Sequence, residues 1–261
     1  MIRNLALNRI LWLITAALSL IVSVIGVLFQ NIYKGVVDFS VMPGVFGQDL
    51  ITILASVLIL VLVMLSKQGS YRKTLIILGL TGYLFYAYAL YAIQGVLSVL
   101  YVLYLVICGL AFWSIICSLT NINYEKGSDI GLSNSLRYIS AFVAILTAIV
   151  FAVMWIIMII TFFLTRDNTG MLIAVFVLDI CFVLPSFAIL GIMLLKKRDT
   201  GLWLMPSMFV FGFVLMLSLV VSELAEPLYN ICPDIAGTLP TILLAVIYLI
   251  LSVFYLRKIR L

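Results

Sequence analysis

Residues Tyr138–Leu164 read YISAFVAILTAIVFAVMWIIMIITFFL, 27 residues without one charged side chain. As an α-helix this run is about 40 Å long, more than the hydrocarbon core of about 30 Å that a spanning helix has to cross. A helix also satisfies its own backbone N–H and C=O groups, which lipid cannot do. A strand of a membrane barrel would instead be short and alternate apolar with polar residues. The stretch is therefore a transmembrane α-helix.

Seven more runs of the same kind flank it: Ile10–Phe29, Leu50–Ser66, Thr74–Ile93, Val96–Leu119, Met171–Leu195, Leu202–Ser222 and Pro240–Leu256. Composition agrees with the count. The chain has 261 residues, 66% of them hydrophobic and 10% charged, with a mean hydropathy of +1.34. Soluble domains are about 45–50% apolar and about 25% charged. At about 20 residues per span, the apolar residues suffice for about eight helices. A soluble enzyme, a disordered chain and a fibrous repeat are excluded. The expected fold is all-α, one polytopic bundle of eight spans.

Basic residues gather in cytoplasmic loops. Placing the N-terminus inside puts 13 of the 15 Lys and Arg residues on the cytoplasmic side, leaving Lys34 and Arg166 outside. Six of the ten acids then fall outside. Both termini are expected in the cytoplasm of a cell membrane. The net charge of +5 and the pI of about 9.0 follow from that partition and not from nucleic-acid binding. The first span is too long for the h-region of a signal peptide and lacks a small-x-small cleavage site, so it reads as a retained helix. The four cysteines form no CxxC pair. Three lie within spans, and Cys232 stands alone in the last outer loop.

A shift of 130 residues overlays Asp49 on Asp179 and Lys67 on Lys197. Two readings stand. One is a duplication into halves 1–130 and 131–261, a parallel repeat about an axis normal to the membrane. In the other, any two helices with an acid outside and a lysine inside would overlay.

The stretches Gly47-Gln48-Asp49-Leu50, Gly82-Tyr83-Leu84-Phe85-Tyr86-Ala87-Tyr88-Ala89 with Tyr91-Ala92, and Leu178-Asp179 through Pro185 to Leu194-Leu195-Lys196-Lys197-Arg198 resemble a group of bacterial eight-helix membrane proteins to which no activity is attached. The likeness covers residues 47–215. It implies fold and membrane location and brings no chemistry. In that group a lysine precedes a glycine in the seventh span, where this chain has Phe211-Gly212, so an ion pair through that lysine is absent.

The chain has no histidine. That removes Ser-His-Asp and Cys-His activation, HExxH zinc sites and haem ligation through imidazole. No phosphate-binding GxxxxGK[ST] loop occurs, and no cofactor is implied. Carboxylates, tyrosines and small hydroxyls remain. Asp179 lies about 12 Å into the sixth span, where a charge costs at least about 2.5–3.5 kcal/mol. It reads as a cation, proton or polar-solute site, or as a protonated Asp holding two helices together. Ser186 falls on the same face, and Pro185 opens the backbone nearby.

In the third span Tyr83, Tyr86, Tyr91 and Gln94 share an arc of about 140°. In the fourth, Ser98, Tyr101, Tyr104 and Cys108 share about 120°. These stripes line a wet cavity or form part of an interfacial aromatic belt. Asp49 reads as a helix cap or as the counterpart of Asp179, and Glu223 as a solvated rim residue or a ligand. Ser140, Thr147 and Thr161, with Ala141, Ala144 and Ala148, suit close helix packing. The outer segments Asn31–Gln48 and Glu223–Leu239 either fold over the bundle or lie at the interface.

The function expected from these residues is binding or transport of a cation or small polar solute. A polar cavity would open outward between two four-helix halves. Asp179, Asp49, Tyr83, Tyr86, Tyr91, Tyr104, Ser186 and Glu223 are the binding residues of that reading. The alternative is a non-catalytic accessory subunit packed on another membrane protein or on a second copy. A lipid-modifying enzyme working through two carboxylates is a third class, disfavoured by the lack of a second intramembrane acid.

Overall fold

Long apolar runs with few helix breakers become helices wherever the backbone cannot bond to solvent. The computed structural model describes residues 4–65, 70–122, 132–165, 173–233 and 235–258. Eight helices follow in order: α1 (Leu5–Leu28), α2 (Met42–Leu65), α3 (Tyr71–Gln94), α4 (Tyr101–Asn121), α5 (Asn134–Thr165), α6 (Ile173–Leu195), α7 (Asp199–Ala225) and α8 (Ile235–Lys258). All eight are long and apolar enough to cross a membrane. No strand occurs among the described residues. The chain is a multi-pass membrane protein. Ser66, Lys67, Arg166 and Met171, on which parts of the sequence reading fall, lie outside the described residues.

The two innermost helices are α3 and α7, packed on each other, and α5 is the least covered. In the first half α1 lies against α2 and α4, and α3 against α4; in the second, α5 lies against α6, and α7 against α8. The two halves meet where α2 and α3 pack on α7 and where α3 packs on the start of α6. The upper end of the bundle is taken here as the end where α1 finishes and α2 begins.

Hydrogen bonds join the first and last helix of each half. Trp12 Nε1 of α1 donates to Ser118 Oγ of α4 at 3.1 Å, and Thr15 and Ser114 share a bond at 3.4 Å. In the second half Tyr248 of α8 donates to Thr147 of α5 at 2.9 Å. The Tyr248 ring stacks between Phe187 and Phe209, with centroids 5.6 and 5.9 Å away. Gly212 makes room for it, since a Cβ there would lie 2.8 Å from the ring. Tyr248→Phe is expected to lower stability by about 1 kcal/mol, the net worth of one buried hydrogen bond. Thermal unfolding in detergent checks this, with Thr147→Val on the Tyr248→Phe background adding little.

The helices differ from the sequence reading in three places. The segment Met42–Gln48, read as outer loop, is the first two turns of α2. Pro43 is tolerated there because an N–H in the first turn has no helical partner to lose. The link between α3 and α4 is longer than Gln94-Gly95. Gly95 ends α3 at φ +71, Val96 N–H bonds back to Tyr91 at 3.0 Å, and α4 starts only at Tyr101. Thr161 does not join the packing face of α5. It is exposed and donates to the Ile157 carbonyl of its own helix. Gly191 of α6 crosses α5 at the buried residues Ala141 and Ala144.

Candidate functional site

The early start of α2 carries Asp49 seven residues into the helix, about 10 Å from its upper end. Asp49 is therefore not a cap. It is 2% exposed and faces α1 at Gly26, where a Cβ would overlap the carboxylate and lie 2.5 Å from the Tyr33 hydroxyl. The vacant space at Gly26 admits Tyr33, which descends from a short 3₁₀ turn (Gln30–Tyr33) after α1. The chain reverses at Gly35, with φ +75.

Tyr33 Oη donates to Asp49 Oδ2 at 2.6 Å, and Tyr91 Oη of α3 donates to Oδ1 at 2.9 Å. Burial first, and the Asp49 charge next, push the Tyr33 phenol well above its ordinary range. It stays protonated and remains a donor. Tyr104 packs on Tyr91 at 4.9 Å between centroids and accepts from Ser98 at 3.0 Å. Tyr88 packs on both and donates to the Ser19 carbonyl at 3.0 Å. Tyr83 donates to the Gln48 carbonyl at 3.1 Å.

Asp179 opens a widened π turn (Asp179–Val183) in α6, six residues before Pro185. The proline ring clashes with the carbonyl four residues back and offers no N–H. The wider turn relieves both, and Leu184 N–H bonds to the Asp179 carbonyl instead. The side chain is 7% exposed. Trp155 Nε1 of α5 donates to Oδ2 at 2.8 Å, while Oδ1 has no hydrogen-bond partner. The Tyr86 hydroxyl of α3 also approaches this carboxylate closely enough to act on it as a hydrogen-bond donor, and its ring meets Phe211 of α7 edge-on at 6.1 Å. Neither acid forms an ion pair with a Lys or Arg among the described residues.

Two cavities adjoin these clusters. The upper one, about 240 Å³, is walled by Asp38, Tyr91, Gln94 and the Gly35–Val37 turn. The larger, about 450 Å³, lies between the halves and is bounded by α3, α4, α6 and α7. Its wall is mainly Leu, Ile and Phe, with Tyr86, Ser186 and Ser207 as the polar exceptions. The space between the halves is thus apolar, and the polar space sits above the first half.

The tyrosine stripe of α3 is shared out among its neighbours. Tyr91 joins Asp49 and Tyr104, Tyr83 reaches α2, and Tyr86 turns to Asp179. Ser186 lines the large cavity. Glu223 lies half-buried in the last turn of α7. The outer segments do meet: Tyr229 donates to Gln30 at 2.8 Å and packs on Phe39 at 6.2 Å. Tyr33, Tyr88 and Trp155 escaped the sequence reading. Tyr33 sits in a loop, Tyr88 is off the stripe, and only tertiary packing brings Trp155 to Asp179. The belief that Asp179 is the one acid inside the bundle is corrected by Asp49. Two buried acids, each held by aromatic donors, can bind a cation or a hydrogen-bond donor. Among the described residues no group of three or more His, Cys, Asp or Glu side chains could hold a metal ion. Compared with models of protein families, curated proteins and solved structures, the chain matches none.

Proposed function

We propose that this protein binds, and in that way transports or senses, a small cation that enters from the upper end and reaches Asp49. One observation carries the reading: Tyr91, which walls the upper cavity, is the same residue that donates to the Asp49 carboxylate. A carboxylate offers about four lone-pair positions, and the two tyrosines occupy two of them. Rotation of one phenol exposes a charged oxygen to the cavity, where Asp38 adds negative potential that favours cations. By the distribution of basic residues the upper end is the outer face, so the cation comes from outside the cell. The corresponding positions of Asp49 and Asp179, each on the second helix of its half and facing the first, support an internal duplication.

The accessory-subunit reading calls for an exposed face of small residues. The exposed face of α5 instead carries Val150, Ile157 and Phe163, the composition of a lipid-facing surface. Two carboxylates acting together on a lipid would have to share a site, whereas Asp49 and Asp179 are held by different donors.

The test is thermal unfolding of the detergent-solubilised protein at constant ionic strength in sodium, potassium, calcium or methylammonium, with the bulky N-methylglucamine as reference. A cation at about 100 times its Kd adds about 2.7 kcal/mol of stability. One of the small cations is expected to raise Tm, and Asp49→Asn to abolish the rise. No response to any of them, or an equal response in Asp49→Asn, overturns the proposal.

A further inference from the structure

The cavity of about 450 Å³ stands apart from the Asp49 cluster and opens sideways. Its floor is α3 and α7, with Gly79 and Gly82 on one and Ser207 on the other. Its two sides are α4 and α6. The residues at its rim, Phe112, Phe182 and Ile189, are 40%, 49% and 56% exposed, and in a bilayer that exposure is to acyl chains. Along the helices it extends from Leu204, five residues above the start of α7, to Tyr86, fifteen above the start of α3. At 1.5 Å per residue that is about 15 Å, half the hydrocarbon thickness.

An apolar space of this size stays dry and fills with an apolar occupant, and its volume is that of ordinary ligand sites. Two polar features give the occupant a direction. Ser207, 5% exposed and on the cavity wall, has a hydroxyl with no hydrogen-bond partner. At the upper tip Tyr86 and Leu178 lead to Asp179, whose Oδ1 has no partner either.

We infer that this slot holds the single hydrocarbon chain of a membrane amphiphile whose head is a hydrogen-bond donor, a long-chain amine or alcohol, seated at Asp179 beside Tyr86. A fatty acid fits the chain but brings a second negative charge to the carboxylate. The amine completes Oδ1 and adds an ion pair; the alcohol completes Oδ1 alone. The inference does not depend on cation binding at Asp49.

The probes are hexadecylamine, hexadecanol and palmitic acid, each with a photoreactive diazirine in the chain, added to the full-length protein in lipid nanodiscs. Labelled peptides are mapped by mass spectrometry. The amine and the alcohol are expected to label α4 and α6 around Phe112 and Ile189. The amine should exceed the acid by about tenfold, the ratio that about 1.4 kcal/mol gives. Asp179→Asn should bring amine and acid to parity and leave the alcohol unchanged.

Gly82→Leu should abolish labelling by all three, because the new side chain occupies the slot. A Cβ at Gly82 makes only ordinary contact, 3.5 Å from the Phe211 ring, so the fold is kept. Should Gly82→Leu fail to fold, Ile189→Trp closes the mouth from an exposed position and must lower labelling equally. Labelling spread evenly over the exposed face of α5, labelling that survives both blocking variants, or photocrosslinks at the slot to another polypeptide overturn the inference.

Discussion

Gly47→Ala is expected to destabilise the bundle by about 3 kcal/mol, the upper end of what overpacking costs. Gly47 lies where α2 crosses α7. An added Cβ would collide with the Ser222 hydroxyl and lie 2.6 Å from the Ser222 nitrogen and 2.8 Å from its Cα. Two of those three atoms are backbone, so no rotamer change gives relief, and α7 as a whole would have to move. The contact is also bonded, with Ser222 Oγ reaching the Gly44 carbonyl at 3.4 Å and the Ser218 carbonyl at 2.8 Å. Between helices in lipid no hydrophobic force compensates for a lost close approach; packing and hydrogen bonds carry the association. Gly82→Ala, whose Cβ has room, is the control. A Tm for Gly47→Ala within a degree or two of that control would refute the predicted crossing.

The same residue shows what the sequence could and could not convey. Eight spans were legible because lipid demands about 20 apolar residues for each, a signal that needs no partner helix to be read. The upper end of α2 was hidden because Pro43, Gly44, Gly47 and Gln48 have the composition of a loop. In the fold that proline sits in the first turn, and Gly47 is small because α7 lies against it. Composition alone cannot separate a glycine that bends a chain from one that admits a neighbour. That ambiguity also concealed how deeply Asp49 is buried. Asp179 stands out as an acid in the middle of an apolar run, whereas Asp49 stands at the edge of one and reads as a cap or as the counterpart of Asp179.

The partners of the two acids were less legible still, since each comes from a different helix or loop. Asp49 lies on α2 and faces α1, Asp179 lies on α6 and faces α5, and the facing residues differ. Gly26 leaves a space that a loop tyrosine fills, so both oxygens of Asp49 are bonded. Trp155 of α5 instead bonds Oδ2 of Asp179 with its own indole N–H, and Oδ1 takes no such bond. Gly26 and Trp155 thus leave the two acids differently placed, Asp49 bonded at both oxygens beneath a polar cavity and Asp179 bonded at Oδ2 near the tip of an apolar slot.

Saturation makes Asp49 the more consequential of the two for stability. Asp49→Ala strands two buried phenol hydroxyls, each at about 1–3 kcal/mol, so a loss of about 4 kcal/mol is expected, and more if the emptied space fails to collapse. Tyr33→Phe and Tyr91→Phe each remove one donor from a carboxylate that stays buried, at about 2 kcal/mol apiece. Together they are expected to cost more than their sum. After the first removal the other phenol still holds the charge; after the second, nothing does, and a buried charge without partners is the costliest of the three states. A double-mutant cycle on Tm, converted to free energy, should show a coupling above about 0.5 kcal/mol, the level at which residues in one network depart from additivity. Additive losses would mean that the phenols act as packing and that Asp49 draws its stabilisation from elsewhere. A double variant more stable than the sum would mean that the carboxylate takes up a proton once its donors are gone, and raising the pH should then remove the difference.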